Sequence, residues 1–209
     1  MTYYPSGGPN WVLLLLIFCS NSFSDNLVSV EIAPKVFVFL ANNYDFLKDP
    51  AQGRSNSGFI IGKSGVIVID SGVSHQTGVT MINDIKTKTN LPIDLVILTH
   101  TDKNFVFGAS AFRDLGIKIV AHPNTAKLIK ERCPDCLKNL VLRHGGKMDN
   151  TRLIIPEPLS EQSVSLTTAG TKIDILHFGP AKTTGDLAIL HPETGTLFAG
   201  GLLANKYIP

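Results

Sequence analysis

The sequence predicts an α/β protein of the α+β type, in which antiparallel hairpins lead into a βαβαβ segment. Two apolar runs, Gly58–Gly62 and Val66–Asp70, flank Lys63-Ser64-Gly65, and this arrangement indicates a hairpin. Between His75 and Thr89 the apolar residues recur at three-residue steps, which is typical of an amphipathic helix. The nearly continuous apolar run of residues 93–99 indicates a strand that is buried on both faces. Helices are therefore expected to cover a mixed sheet.

The other segments fit the same single domain. Two strands, Val28–Ala33 and Val36–Ala41, are predicted around the Pro34-Lys35 turn, and a polar loop follows over Asn42–Ser57. No segment has low complexity or the composition of an interdomain linker, so one domain is predicted over residues 25–209. Beyond the first helix and the buried strand, the patterns predict helices at 109–115 and 124–142 and strands at 117–122, 163–169, 172–178, 186–191 and 195–200.

Length and composition indicate a globular chain and exclude one class of partner. The 209 residues suit one domain, and 44% hydrophobic with 17% charged residues argues against disorder. The formal net charge is only +2, and the lysines and arginines are scattered without a basic run. Nucleic-acid binding is therefore not expected.

The first 24 residues have the pattern of a signal peptide. The apolar stretch Trp11–Cys19 has nine residues, too few to span a bilayer but suited to a signal sequence, and the small residues Ser22 and Ser24 allow cleavage before Asp25. The preceding segment lacks the usual Lys or Arg, which leaves a buried helix as the alternative. Cleavage would make the protein periplasmic or secreted, with no membrane span after it.

A cluster of polar residues follows the buried strand. His100, Asp102 and Asn104 stand at alternate positions in Leu98–Ala109, which is how a strand end presents metal ligands. Lys103 inside the cluster and Phe105 at its end are unusual for such a site. The cluster therefore indicates either a metal site or a derivative of one.

Several segments between residues 28 and 209 resemble the metallo-β-lactamase superfamily. They are SGFIIGKSGVIVIDSG, LVILTH, FGASAF and GPAKTTGDLAILHPETGTLFAGGLL. The CPDC, HGGKM and LLANKYIP segments make the chain most similar to exported zinc metallohydrolases associated with quinoprotein systems. The resemblance implies an αββα sandwich, an active site at one edge of the two sheets and zinc as the cofactor.

The family loop reads His-x-His-x-Asp-His and binds two zinc ions, and this chain departs from it. His100 matches the first histidine, and Asp102 stands at the second, where it is a changed but still possible ligand. Asn104 places a neutral amide at the position of the aspartate, and Phe105 takes the place of the last histidine and cannot ligate. The resemblance therefore leaves His100, Asp102 and Asn104 as residual ligands.

Two later ligand positions are changed as well. Lys182 stands at the third histidine of the family, and Gly201 stands at the bridging aspartate. A catalytic zinc site uses three protein ligands and an open position, and an ammonium group repels a divalent cation. We therefore expect that Lys182 pairs with Asp102 and that this ion pair replaces the metal, while Phe105 and Gly201 fill the rest of the site. Zinc is the cofactor that the resemblance implies, and a site with none bound is the alternative.

Other polar residues have supporting or structural interpretations. Asp70 matches a family aspartate that supports the site loops, and Asp186 is expected to orient the loop that carries Lys182. His122 and His177 end apolar strands and are interpreted as structural histidines, whereas His191 precedes a turn and is expected to be solvated.

Cys133 and Cys136 form Cys-Pro-Asp-Cys in a segment with a helical pattern. An exported compartment would allow a disulfide between them. A thioredoxin-like redox pair is the more specific alternative, but a redox motif of that kind follows the first strand of a βαβ unit, whereas this one lies in a helical segment. A structural or idle pair fits the helical context better.

Family members continue with further strands and helices beyond the segment that carries Gly201, so the second half of the fold is expected to be truncated, with the domain incomplete at its C-terminus.

Three functions are compatible with these patterns. The favoured function is a hydrolase-family protein with a degenerate zinc site and no hydrolytic activity. The alternatives are a zinc-dependent hydrolase of an ester, amide or thioester with a weak mononuclear site, and a non-catalytic protein that binds a small molecule or a protein in the old cleft. The sequence predicts no oligomeric state.

Overall fold

A computed structural model of the protein describes residues 27–40 and 56–203. The predicted signal peptide lies outside these residues. None of the helices in the described ranges is long and apolar enough to cross a membrane. The elements, in chain order, are β1 (Ser29–Ala33), β2 (Val36–Phe39), β3 (Ser57–Ile61), β4 (Val66–Ile69), α1 (His75–Lys88), β5 (Ile93–Leu98), α2 (Lys103–Val106), α3 (Ala109–Asp114), β6 (Lys118–Ala121), α4 (Pro123–His144), β7 (Glu157–Pro158), β8 (Val164–Thr168), β9 (Thr171–Leu176), β10 (Ala188–His191) and β11 (Thr196–Phe198).

The first seven strands form one mixed sheet in sequence order, β1-β2-β3-β4-β5-β6-β7. Strands β1 to β4 pair antiparallel as consecutive hairpins. Strands β4 to β7 pair parallel, with α1 between β4 and β5 and α4 between β6 and β7. The predicted passage from hairpins to a βαβαβ segment is therefore confirmed.

The last four strands form a second, antiparallel sheet in the order β11-β10-β9-β8. In β9 the alternate residues Ile173 and Ile175 are buried, whereas Lys172 is exposed. Such period-two alternation is expected of a sheet with one face on a core. The second sheet therefore packs on the first through one face.

Two separate apolar clusters show how the layers are stacked. One joins the first sheet, through residues such as Val68 and Val96, to the helices, for example Met81 of α1. The other contains strand and loop residues and joins Ile67 and Ile97 of the first sheet to the second sheet. Successive residues of β4 and β5 therefore serve different clusters, and both faces of these strands are buried. The described residues form a helical layer and two sheets.

Two short elements were not predicted. The helix α2 begins directly after Asp102, inside the stretch that the sequence presented only as a polar cluster. The two-residue strand β7 lies in the predicted loop and extends the first sheet by pairing with β6. Both elements are too short for a hydrophobic period to reveal them.

The possible disulfide between Cys133 and Cys136 is not formed in the structure, where both residues are free thiols within α4. Residues three apart on a helix have Cβ atoms about 5–6 Å apart. A disulfide needs these atoms at roughly 3.5–4.5 Å, so the helix itself disfavours the bond. Burial, and next the neighbouring Cys136, raises the pKa of the Cys133 thiol to about 12. A structural or idle role for this pair stays a prediction.

Candidate functional site

The site lies at the ends of parallel strands β4 and β5, next to two loops associated with the second sheet. Asp70 follows β4, and Thr99 and His100 follow β5. Carboxyl ends of neighbouring parallel strands meet at one edge of a sheet, which brings these side chains together. The loop before β10 carries Lys182, and the 3₁₀ helix Gly200–Leu202 after β11 closes over His100.

Asp102 is the residue that starts α2. Its backbone is extended, and its Oδ1 accepts hydrogen bonds from the Asn104 backbone N–H at 2.9 Å and from the Asn104 side-chain amide at 3.0 Å. This is the N-cap interaction in which a carboxylate binds an unsatisfied amide of the first turn. The predicted ligand Asn104 thus holds Asp102 in place in this structure.

Lys182 and Asp102 form an ion pair across the two sheets. The Lys182 Nζ lies 2.9 Å from Asp102 Oδ2, and the two side chains are 38% and 21% exposed. Burial alone would raise the pKa of Asp102. The Asn104 amide and the Lys182 ammonium more than offset it, so the pKa of Asp102 lies below its ordinary value. The predicted ion pair is therefore present.

A hydrogen-bonded chain runs from Asp70 through Thr99 to His100, all of them buried. The Thr99 backbone N–H donates to Asp70 Oδ1 at 2.8 Å, and the Thr99 hydroxyl lies 2.8 Å from both Asp70 Oδ2 and His100 Nδ1. Burial raises the pKa of Asp70 to about 7, against the opposing hydrogen bonds from Thr99. The expected support of the site by Asp70 therefore acts through Thr99, which sequence reasoning missed.

His100 is a neutral and enclosed histidine. Burial, and next the Lys182 ammonium, lowers the pKa of His100 to about 4. Phe105 lies against the imidazole, with 4.3 Å between the ring centroids. Gly201 approaches so closely that a Cβ there would stand 2.9 Å from His100 Cδ2 and 3.2 Å from Nε2. The buried Nε2 has no hydrogen-bond partner among the residues that the structure describes.

Asp186 folds the loop that carries Lys182. Its buried carboxylate accepts hydrogen bonds from the Thr183 backbone N–H at 2.6 Å and from the Thr183 hydroxyl at 2.7 Å. Thr183 follows Lys182 directly, so this contact fixes the backbone from which the lysine extends. A carboxylate three residues after its partner closes a tight turn of this kind.

The other singled-out histidines have hydrogen-bonded positions. His122 caps α4, and its ring stacks on His177 with 4.2 Å between centroids. The expectation that His191 is solvated is wrong, because it is 4% exposed. Its two ring nitrogens lie 3.0 Å from the Thr171 hydroxyl and 2.9 Å from the Thr194 hydroxyl. A turn that follows a strand can still fold back over the sheet, and this one does.

The donors present do not fit a catalytic zinc ion. In the ranges that the structure describes, no group of three or more His, Cys, Asp or Glu side chains is arranged to hold a metal. Of the residual donors, Asp102 is bound to an ammonium and to Asn104, and His100 Nε2 is a buried nitrogen that makes no hydrogen bond to the described residues. A catalytic zinc site needs three protein ligands at bonding distance and an open position.

Comparison with known proteins gives one family and a set of similar folds. A model of the metallo-beta-lactamase superfamily matches residues 51–208. No curated protein matches the sequence. Among solved structures, a metallo-beta-lactamase from Pontibacter korlensis is 17% identical, with a TM-score of 0.62, covering 82% of this chain and 69% of that one. A metallo-beta-lactamase from Hirschia baltica is 18% identical, with a TM-score of 0.61 and the same coverages. At these identities the structural likeness concerns the fold.

Proposed function

Because the chain belongs to the metallo-β-lactamase superfamily, we propose that it is a hydrolase-family protein with a degenerate zinc site and without hydrolytic activity. In this proposal the ion pair between Lys182 and Asp102 replaces the metal centre. Phe105 and Gly201 fill the remaining space around His100.

The observation that carries the proposal is the 2.9 Å contact between the Lys182 ammonium and Asp102. A metal ion bound by Asp102 would stand within a few ångströms of that ammonium. Two like unit charges at about 4 Å repel by roughly 4 kcal/mol at an effective dielectric constant near 20, and the double charge of a zinc ion doubles that repulsion. To bind a metal ion, Asp102 would have to give up its ion pair with Lys182, and the displaced ammonium would repel the metal. The site offers few further ligands to offset this cost.

The remaining side chains do not replace the missing chemistry. Hydrolysis in this family depends on a metal that acidifies a bound water and polarises the substrate carbonyl. His100 is neutral, and Phe105 and Gly201 cover it, so it has no room to act on a water as a general base. Lys182 is engaged by Asp102. These contacts favour a site that is stabilised rather than reactive.

Metal analysis tests the proposal directly. The protein is purified in excess zinc, dialysed and analysed by mass spectrometry for metal content, and zinc is titrated by calorimetry. Thioester and nitrocefin assays accompany both measurements. We expect no stoichiometric zinc and no turnover above the buffer rate. Tightly bound zinc near one equivalent would overturn the proposal.

One observation favours a second candidate, a zinc-dependent hydrolase of an ester, amide or thioester with a weak mononuclear site. Within the described part of the chain, His100 Nε2 is buried without a hydrogen-bond partner, and native proteins seldom leave such an atom unsatisfied. Weak zinc binding that is lost in His100→Gln, together with zinc-dependent turnover, would favour this candidate. Weak binding that survives His100→Gln would place the metal elsewhere.

We also propose that the protein is exported, with residues 1–24 removed. A small molecule is the ligand that we propose for a binding function of the old cleft. The apolar stretch Trp11–Cys19 and the small residues before Asp25 support export. N-terminal sequencing of protein recovered from the periplasm or medium should start at Asp25. A mature chain that starts at Met1 would contradict export by this route.

A further inference from the structure

Two stacked histidines connect the ends of the two sheets. His122 follows β6 of the first sheet, and His177 follows β9 of the second. Their ring centroids lie 4.2 Å apart with an interplanar angle of 30°. His122 is almost completely buried, at 2% exposure. Each ring also contacts backbone groups, and these contacts determine where its proton sits.

The hydrogen bonds of His122 assign its tautomer. Its Nδ1 accepts from the Asn124 backbone N–H at 3.1 Å, so this nitrogen carries no proton. Its Nε2 lies 3.3 Å from the Glu161 carbonyl oxygen, which only accepts, so the proton is on Nε2. The Nδ1 contact is the N-cap of α4. A second proton on His122 would therefore have to replace the bond that caps the helix.

His177 is fixed in a similar way. Its Nδ1 lies 3.0 Å from the Asp186 carbonyl oxygen and must donate to it. In the neutral state both rings of the pair satisfy their neighbours. If both were protonated, two cations would face each other at about the 4.2 Å ring separation. One of those cations would also lie at a helix N-terminus, where the helix dipole disfavours positive charge.

The first turn of α4 holds the loop that carries Lys182. The Thr125 hydroxyl donates to the Gly185 carbonyl at 2.7 Å, and the Asn124 side-chain amide donates to the Thr184 carbonyl at 3.1 Å. Gly185 packs so tightly here that a Cβ would stand 2.5 Å from the Thr125 hydroxyl oxygen and 3.0 Å from His122 Nδ1. Displacing this turn would therefore displace the loop.

We infer that His122 and His177 form an acid-sensitive clasp, in which protonation of His122 releases the first turn of α4 and the loop of residues 179–187 and so breaks the ion pair between Lys182 and Asp102. The clasp does not depend on whether the site has lost its metal. It makes the geometry of the old active-site edge a function of pH.

The charges around the pair determine the direction of the effect. Burial, and after it the neighbouring His177, lowers the pKa of His122, while hydrogen bonding to the Glu161 carbonyl and the Glu161 charge act against this. From α4 the ring faces the uncharged residues Asn124 and Thr125, and from the loop the Asp186 carboxylate is bound to Thr183. The folded state therefore prefers neutral His122, and acid favours the opened loop.

Nuclear magnetic resonance of the full chain tests the clasp. Imidazole ¹⁵N shifts report the tautomers and pKa values, and hydrogen exchange reports the protection of the Asn124 and Gly185 amides, corrected for intrinsic exchange. Between the pKa of an exposed histidine, about 6.5, and that of folded His122, opening should increase about tenfold per pH unit. The Lys182 ammonium signal should lose its ion-paired shift over the same range.

The matched variant is His122→Asn, which keeps a side-chain oxygen that can cap α4 but does not titrate. We expect it to hold the protection of the Asn124 and Gly185 amides constant over the range in which the wild type loses it. The same loss of protection in the variant would overturn the inference. So would a wild-type His122 pKa at or above 6.5, and that measurement stands even if the variant does not fold.

Discussion

The Lys182 ammonium lies 2.9 Å from Asp102 Oδ2, although 80 positions separate the two residues in the sequence. Asp102 starts the helix that follows β5 of the first sheet, and Lys182 extends from the loop that precedes β10 of the second. The ion pair therefore joins the two sheets at the edge where the superfamily places its metal. It supplies positive charge to Asp102 from within the chain.

Breaking this pair should cost only a modest amount of stability. Lys182 is 38% exposed, so solvent screens the interaction, and a double-mutant cycle of Lys182→Met and Asp102→Asn should give a coupling of about 0.5–1 kcal/mol in the free energy of unfolding. Urea denaturation at low and high salt measures it. The coupling should shrink at high salt. Lys172→Met, at a more exposed lysine near Asp174, is the control. A salt-independent coupling would contradict the ionic interpretation.

Replacing the lysine by a histidine should create zinc affinity. Lys182→His removes the ammonium and places an imidazole near His100 and Asp102, which gives three donors of the kind that zinc prefers. Calorimetry should detect binding of one zinc to the variant under conditions in which the wild type binds none.

The control for zinc binding is Lys182→Gln, which removes the same charge but adds no good ligand. If it binds zinc as well as Lys182→His does, the charge alone keeps the metal out. If neither variant binds zinc, the closure of His100 by Gly201 and Phe105 is sufficient to exclude it.

Asp70→Asn should remove a component of the pH dependence of stability. Burial raises the folded pKa of Asp70 from 3.8 to about 7, so the folded state holds a proton that the unfolded state has lost between these values. The contribution of Asp70 to the free energy of unfolding is fully present below pH 3.8. It is lost as pH rises through about 7, by up to about 1.4 kcal/mol per pH unit. Urea denaturation from pH 4.5 to 8 measures the slope.

Asparagine is a suitable replacement at this position. Asp70 has a φ of 61°, which asparagine tolerates better than most residues, and an amide oxygen can still accept from the Thr99 N–H. The variant should therefore fold, with a flatter profile than the wild type over the same pH range. Identical profiles would show that Asp70 does not hold the extra proton.

Gly201→Ala should destabilise the protein by overpacking the site. The added Cβ would stand 2.9 Å from His100 Cδ2, and forcing a methyl group into a packed interior costs about 1–3 kcal/mol. Gly146→Ala is the matched control, since the nearest atom to its Cβ lies at an ordinary 3.6 Å. Thermal unfolding of both variants should separate them by several degrees. Equal melting temperatures would mean that the Gly201 segment moves away freely.

The sequence by itself determined most of the elements and their order along the chain, but not α2 or the two-residue strand β7. Buried runs such as Val66–Ile69 and residues 93–98 fix strands, and the apolar period of α1 fixes its helix, because these patterns depend on local burial alone. It also identified Lys182 and Asp102 as partners, since register with a family motif brings distant positions together. The Asp102-capped α2 was missed because four residues carry too little pattern.

Tertiary structure alone decided how the side chains at the site are enclosed and protonated. The placement of Gly201 against His100, the role of Thr99 between Asp70 and His100, and the stacking of His122 on His177 all join residues from separate elements. Burial and hydrogen-bond geometry, which set the pKa of Asp70 and the tautomer of His122, exist only after the two sheets have packed. Local patterns determine which residues reach the edge of the sheets; packing determines which atoms they meet there.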